Sequence, residues 1–161
     1  MSNLALYTTI YPGVERFLAD WYASVLTQSD QDFDLIIGVD NLAPSVVIEA
    51  LGAEPRATWV PAAPAASPAR VRQNAFERIV RDYQAVVFVD SDDILMPQRV
   101  AAARKRLETV DVAACAMSLV DEAGSSLGVT FCMPEASEPH NKWLLRGNVF
   151  GLSNTAYQTS A

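Results

Sequence analysis

The chain has 161 residues, half of them apolar and 19% charged, with a net charge of −7. That length suffices for one domain with a sizeable core, and the composition is not that of a disordered segment. The negative balance excludes a nucleic-acid partner, which needs clustered cations, while ten arginines among the twelve basic residues suit bidentate contacts to carboxylate or phosphate at particular points.

Residues 4–9 are a short apolar, β-favouring run closed by the turn signal Tyr11-Pro12-Gly13. Val14, Phe17, Leu18, Trp21 and Val25 then follow at the spacing of one helix face, predicting a helix that ends near Gln28. Residues 34–39 read as a buried strand ending at Asp40-Asn41, and a short helix starts at Pro44 and ends by Gly52. A third strand is predicted over 57–60. Three prolines within residues 61–68 exclude regular helix or interior strand, so this stretch is a loop. A helix over 69–82 carries Val71, Ala75, Phe76, Ile79 and Val80 as its apolar stripe. Residues 85–89, Ala-Val-Val-Phe-Val, form the clearest strand and run directly into Asp90-Ser91-Asp92-Asp93. A helix over 97–110 follows, then strands over 112–120 and 127–131 around the turn Asp121-Glu122-Ala123-Gly124.

Strands alternating with helices, and too apolar to have one wet face, imply an α/β fold with a mostly parallel sheet covered on both sides. Such sheets bind ligands beyond the carboxyl ends of their strands, which selects residues 9–13, 40–41 and 90–93. No internal repeat or second domain is visible. Cys115 and Cys132 have neither zinc spacing nor the density of a disulfide scaffold, and their apolar surroundings predict buried free thiols. The first residues lack the pattern of a signal peptide and no apolar run reaches the length of a membrane span, so the expected location is the cytoplasm.

Three carboxylates within four residues are costly to gather without a counter-charge. Taken alone, such a cluster is a solvated turn and a helix cap. At the tip of the most apolar strand it suits a hard cation, Mg2+ or Mn2+, that bridges to substrate phosphates and neutralises a departing diphosphate. No catalytic triad is evident, and His140, in a polar loop beside a proline, reads as a surface residue.

Four ordered stretches resemble the family 2 glycosyltransferases of the GT-A fold: Thr9-Ile10-Tyr11-Pro12-Gly13 with Phe17-Leu18 and Ser24 to Gln28; Phe33 to Asp40; Ala69-Arg70-Val71-Arg72-Gln73-Asn74-Ala75; and Val87-Phe88-Val89-Asp90-Ser91-Asp92-Asp93-Ile94 with Pro97. They cover about the first hundred residues, and the ordered set is more specific than any single motif. The resemblance implies an inverting transferase that binds a nucleoside-diphosphate sugar, typically a UDP-sugar, and passes the sugar to an acceptor hydroxyl. It implies that Asp40 accepts a hydrogen bond from the base, that Thr9 and Tyr11 line the nucleoside pocket, and that Arg72 reaches the base or diphosphate. Asp90 would contact the ribose or the metal, and Asp92 would be the main metal ligand of an Asp-x-Asp motif, with Asp93 as its substitute.

The chain departs from the family in having Asn41 where a second acid is usual, Leu42-Ala43 in place of Gly-Ser, and a proline stretch where a glycine precedes Arg72. No carboxylate side chain follows Glu138. The sequence is therefore expected to be a single nucleotide-sugar-binding domain that stops before the acceptor and general-base region, and to be inactive in transfer on its own. The acceptor, a sugar, lipid-linked or protein hydroxyl, is not legible. Competing readings are a non-catalytic nucleotide-sugar-binding fragment, a haloacid-dehalogenase-type phosphatase and a nucleotidyltransferase. Asp93-Ile94 where the phosphatase has Gly-Thr, and the helix around Ser24 and Gln28, argue against the last two.

Overall fold

The computed structural model describes residues 3–132 and 151–160. Its main sheet has six strands in the order β3-β2-β1-β4-β8-β5. The strands are β1 (Leu4–Ile10), β2 (Asp34–Val39), β3 (Ala57–Pro61), β4 (Ala85–Phe88), β5 (Val112–Ala114) and β8 (Thr155–Gln158). Strands β1 to β4 run parallel, with Leu6 of β1 opposite Leu35 on one side and Val87 on the other. β8 enters antiparallel between β4 and β5, pairing Ala156 with Val87 and with Ala113. A separate hairpin, β6 (Met117–Val120) and β7 (Ser126–Phe131), closes on the expected Asp121–Gly124 turn, where Asp121 Oδ1 accepts from the Ala123 and Ser125 amides.

Helices cover both faces of the sheet, as the apolar strands require. One layer holds α1 (Leu18–Leu26), α2 (Pro44–Leu51) and α4 (Arg99–Leu107), whose Leu18, Trp21, Val47 and Val100 pack with Leu6, Ile10, Ile37 and Val87. The other holds α3 (Pro68–Asp82), whose Ala75 and Ile79 pack with Tyr7, Ile36 and Phe88. On that second face Tyr7, Phe76, Phe88 and Tyr157 meet edge to face at centroid distances of 5.4–5.8 Å, geometry that the ring quadrupoles favour.

Several boundaries differ from the sequence expectation. The first helix opens as a 3-10 turn, Glu15–Phe17, before α1 begins, and Gln28 lies beyond the helix end. The fourth helix is shorter than 97–110. The run 112–120 breaks into β5 and β6, and β8 was not anticipated. Val80, assigned to the buried stripe of α3, is 59% exposed, because the sheet meets only the Val71–Ala75–Ile79 line. The thiols are not buried either: Cys115 is partly exposed and Cys132 exposed. Residues 61–68 form the expected loop, except that Pro61 closes β3 and Pro68 opens α3 as its first residue, with Ser67 Oγ capping the Arg70 amide. Among the described residues no helix is long and apolar enough to cross a membrane.

Candidate functional site

The carboxyl ends of β2, β1 and β4 lie side by side and are tied by the backbone. Asp40 N donates to Ile10 O (2.9 Å) and Val89 N to Tyr7 O (3.1 Å). Ser91, fully buried between two outward aspartates, donates from Oγ to Thr9 O at 2.9 Å. The three sequence segments selected above are thus brought together at one sheet edge. The small residue in the middle of Asp-Ser-Asp turns inward, leaving Asp90 half-buried and Asp92 and Asp93 exposed.

Two side chains from α1 fix the segment that follows the acidic turn. Ser24 Oγ accepts from Leu95 N (3.1 Å), and Gln28 bonds Met96 O through Nε2 (3.0 Å) and Val100 N through Oε1 (3.1 Å). The serine and glutamine of the first resembling stretch therefore hold the loop from Asp93 to α4 and are buried away from ligand.

Asp40 is buried, and its Oδ1 accepts from Asn41 Nδ2 at 2.7 Å. Thr9 is also buried, its hydroxyl bonded to that of Tyr7 at 2.8 Å. Trp21 stacks on Tyr22. Tyr11 stands 38% exposed with its hydroxyl 3.5 Å from Asp92 Oδ2. Partial burial and the charges of Asp92 and Asp90 push the Tyr11 hydroxyl above its usual pKa.

Arg72 follows the fully buried Val71 in α3, and its Nε is buried without a hydrogen-bond partner. Its charge is near enough to act on Asp90, Tyr11 and Tyr7. Asp90 is pushed above the usual carboxylate range by burial first, then by Asp93 and Asp92. A hydrogen bond from Ser153 and the Arg72 charge oppose that rise. Ser153 Oγ also accepts from Asp90 N at 2.7 Å. Sequence reasoning missed both Ser153 and the role of Asn41. Neither carries a motif signal of its own, and Ser153 reaches the site only through β8.

No group of three or more His, Cys, Asp or Glu side chains among the described residues could hold a metal by protein ligands alone. His140, Glu135 and Glu138 lie outside the described residues.

The chain has the GT-A fold. Residues 1–349 of TarS from S. aureus, solved with UDP, superpose on 99% of this chain and 47% of that one, with a TM-score of 0.69 at 16% identity. The mannosyltransferase PcManGT from Pyrobaculum calidifontis, solved with GDP-Man and Mn2+, matches over 97% of this chain and 44% of its own, with a TM-score of 0.57 at 13% identity. A nucleotide-diphospho-sugar transferase from Desulfovibrio desulfuricans G20, described as putative, matches 71% of this chain and 58% of its own, with a TM-score of 0.52 at 18% identity. The chain thus spans about half the length of the solved structures it matches. No protein family's sequence profile matches it, and neither does any curated protein sequence.

Proposed function

We propose that this chain binds a nucleoside-diphosphate sugar, UDP-linked, with a divalent cation, and belongs to an inverting glycosyltransferase that passes the sugar to an acceptor hydroxyl. The observation that carries the reading is the meeting of Tyr11, Asp40, Asp90 and Asp92 at adjacent strand ends, with the Arg72 charge near enough to act on Asp90 and Tyr11. Proteins of the same fold were solved with UDP, UDP-GlcNAc and GDP-Man.

In this reading the exposed Tyr11 ring gives the nucleoside a surface to stack on, with Thr9 forming the floor beneath. Asp40 receives a base N–H on the oxygen that Asn41 leaves available. The planar fork of Arg72 suits diphosphate oxygens, and its unpartnered Nε is a donor without a use inside the protein. Asp90 and Asp92 fit Mg2+ or Mn2+, which is commonly held by one or two carboxylates and completed by substrate phosphates and water. Three carboxylates on one turn, one of them half-buried, gain most from such a neighbour. When bound, the cation supplies charge neutralisation for the departing diphosphate.

Titration calorimetry with UDP and with GDP, in Mn2+ and then in chelator, tests the proposal. We expect UDP binding in Mn2+ that is lost on chelation. Equal binding in both conditions removes the cation from the reading, and preference for GDP replaces the base.

A further inference from the structure

β8 is the element that the alternating pattern does not supply, and it is held from several sides. Thr155 and Ala156 are fully buried. Arg99 of α4, itself largely buried, donates from Nη2 to Thr155 O at 2.9 Å, and Cys115 N donates to Asn154 O at 2.8 Å. Thr155 Oγ1 closes the preceding turn onto Gly151 O at 2.9 Å. A turn anchored at so many points has little freedom to move its side chains. Ser153 lies on it, and its Oγ meets Asp90 N at 2.7 Å across 63 residues of sequence.

The amide of Asp90 leaves β4 where the strand ladder ends, since Val87 is the last β4 residue paired with β8. Without Ser153 this donor would have no partner among the described residues at a half-buried site, a costly state for a backbone N–H. The backbone of Asp90 is thus fixed by a single serine, which restricts where its carboxylate can point.

We infer that Ser153 is the positioning residue for Asp90, so that the donor site on the first four strands is completed by the returning β8 arm. The inference rests on the donor-binding reading above. Ser153 touches neither nucleotide nor cation in this role. It sets the geometry of a group that does, and a carboxylate freed to swing loses affinity for a cation with strict angular demands.

The test compares Ser153→Ala, Ser153→Cys and Ser153→Thr with the wild-type chain. UDP affinity is measured with and without Mn2+, alongside the hydrogen-exchange rate of the Asp90 amide. Alanine and cysteine remove or weaken the hydroxyl's bonds, whereas threonine keeps them. We expect alanine and cysteine to weaken Mn2+-dependent UDP binding by about five- to tenfold, the worth of a hydrogen bond. The Asp90 amide should exchange faster, and threonine should restore both values. If Ser153→Ala fails to fold, the cysteine and threonine variants decide. Unchanged binding, or unchanged Asp90 exchange, in folded alanine or cysteine variants overturns the role of Ser153 while leaving the donor site standing. A wild-type chain whose UDP binding ignores Mn2+ overturns both.

Discussion

Asn41 and Asp40 are joined side chain to side chain, Nδ2 to Oδ1 at 2.7 Å, while Asn41 Oδ1 accepts from Ala65 N at 3.2 Å. Asn41 and Ala65 both adopt left-handed backbone, with φ of 51° and 59°, and no other non-glycine residue among those described does so. Asparagine tolerates that region and alanine does not readily, at roughly 1–2 kcal/mol per residue. One amide therefore holds a buried carboxylate and a strained loop in fixed relation. The substitution of Asn for the acid usual in the resembling family acquires a structural reason.

That relation makes Asn41→Gly informative, since glycine keeps the backbone without strain and removes only the side-chain link. We expect UDP binding to weaken by roughly five- to thirtyfold, the effect of losing one or two hydrogen bonds of about 1 kcal/mol each. Ala65→Gly should leave affinity near wild type and raise stability slightly by removing strain. Calorimetry and thermal melting read the two effects separately.

Asp92→Asn keeps shape and removes a charge from the exposed side of the acidic turn. Binding of Mn2+ with UDP should fall at least tenfold, because a hard cation depends on the carboxylate charge. Stability without ligand should hold or rise, since one of three mutually repelling carboxylates is gone. A less stable variant that binds as before would make the cluster a structural cap.

Gly38→Ala probes the floor of the site. A Cβ there would sit 2.9 Å from the Tyr7 hydroxyl and 3.3 Å from Val71 Cγ1. Tyr7 and Val71 are fully buried, so neither can yield without repacking. We expect a loss of about 1–3 kcal/mol in urea unfolding. The loss should be smaller when Tyr7→Phe has removed the hydroxyl, a coupling that a double-mutant cycle measures directly.

At the opposite end of the strands, Arg104 of α4 grips the loop before β2. Its Nε donates to Asp30 Oδ2 at 2.6 Å, Nη2 reaches Asp32 O, and Nη1 donates to Asn3 Oδ1 at 3.1 Å. The hydrogen bond from Arg104 holds the Asp30 carboxyl below its usual pKa. A carboxylate whose folded pKa is depressed contributes stability that is complete above the unfolded value and is lost as pH falls through the folded one. Stability should therefore decline below about pH 4, where an ordinary aspartate titrates. Asp30→Asn should be less stable at pH 7 by about 1–2 kcal/mol, the scale of a charged hydrogen bond in a partly exposed setting. Its decline below pH 4 should be shallower. Parallel wild-type and variant acid limbs would remove Asp30 from the account.

The sequence by itself determined the alternation of apolar strands and amphipathic helices, the covering of both sheet faces and the place of the acidic turn. Each is a local signal: residues 35–39 and 85–89 are apolar runs, Pro44 marks a helix start, and aspartates follow strand ends. Tyr11, Asp40 and Asp90 could be selected together because a parallel sheet delivers all its carboxyl ends to one edge, whereas Arg72, on a helix, was selected only through the family resemblance. Only the tertiary structure decided what those residues touch. Thr155–Gln158 is a four-residue strand without usable periodicity, and its antiparallel place between β4 and β5 depends on partners some seventy and forty residues away. From that insertion follow the Ser153 contact with Asp90 and the burial of Arg99 against Thr155. Val80 lies at the edge of the α3 stripe, where a helical pattern alone cannot tell how much of the helix the sheet will cover. The Asn41 bridge to Ala65 likewise depends on a loop that proline content marks as irregular but does not shape. Hydrogen bonds between distant segments leave no period in the sequence, so they become visible only when the chain has closed on itself.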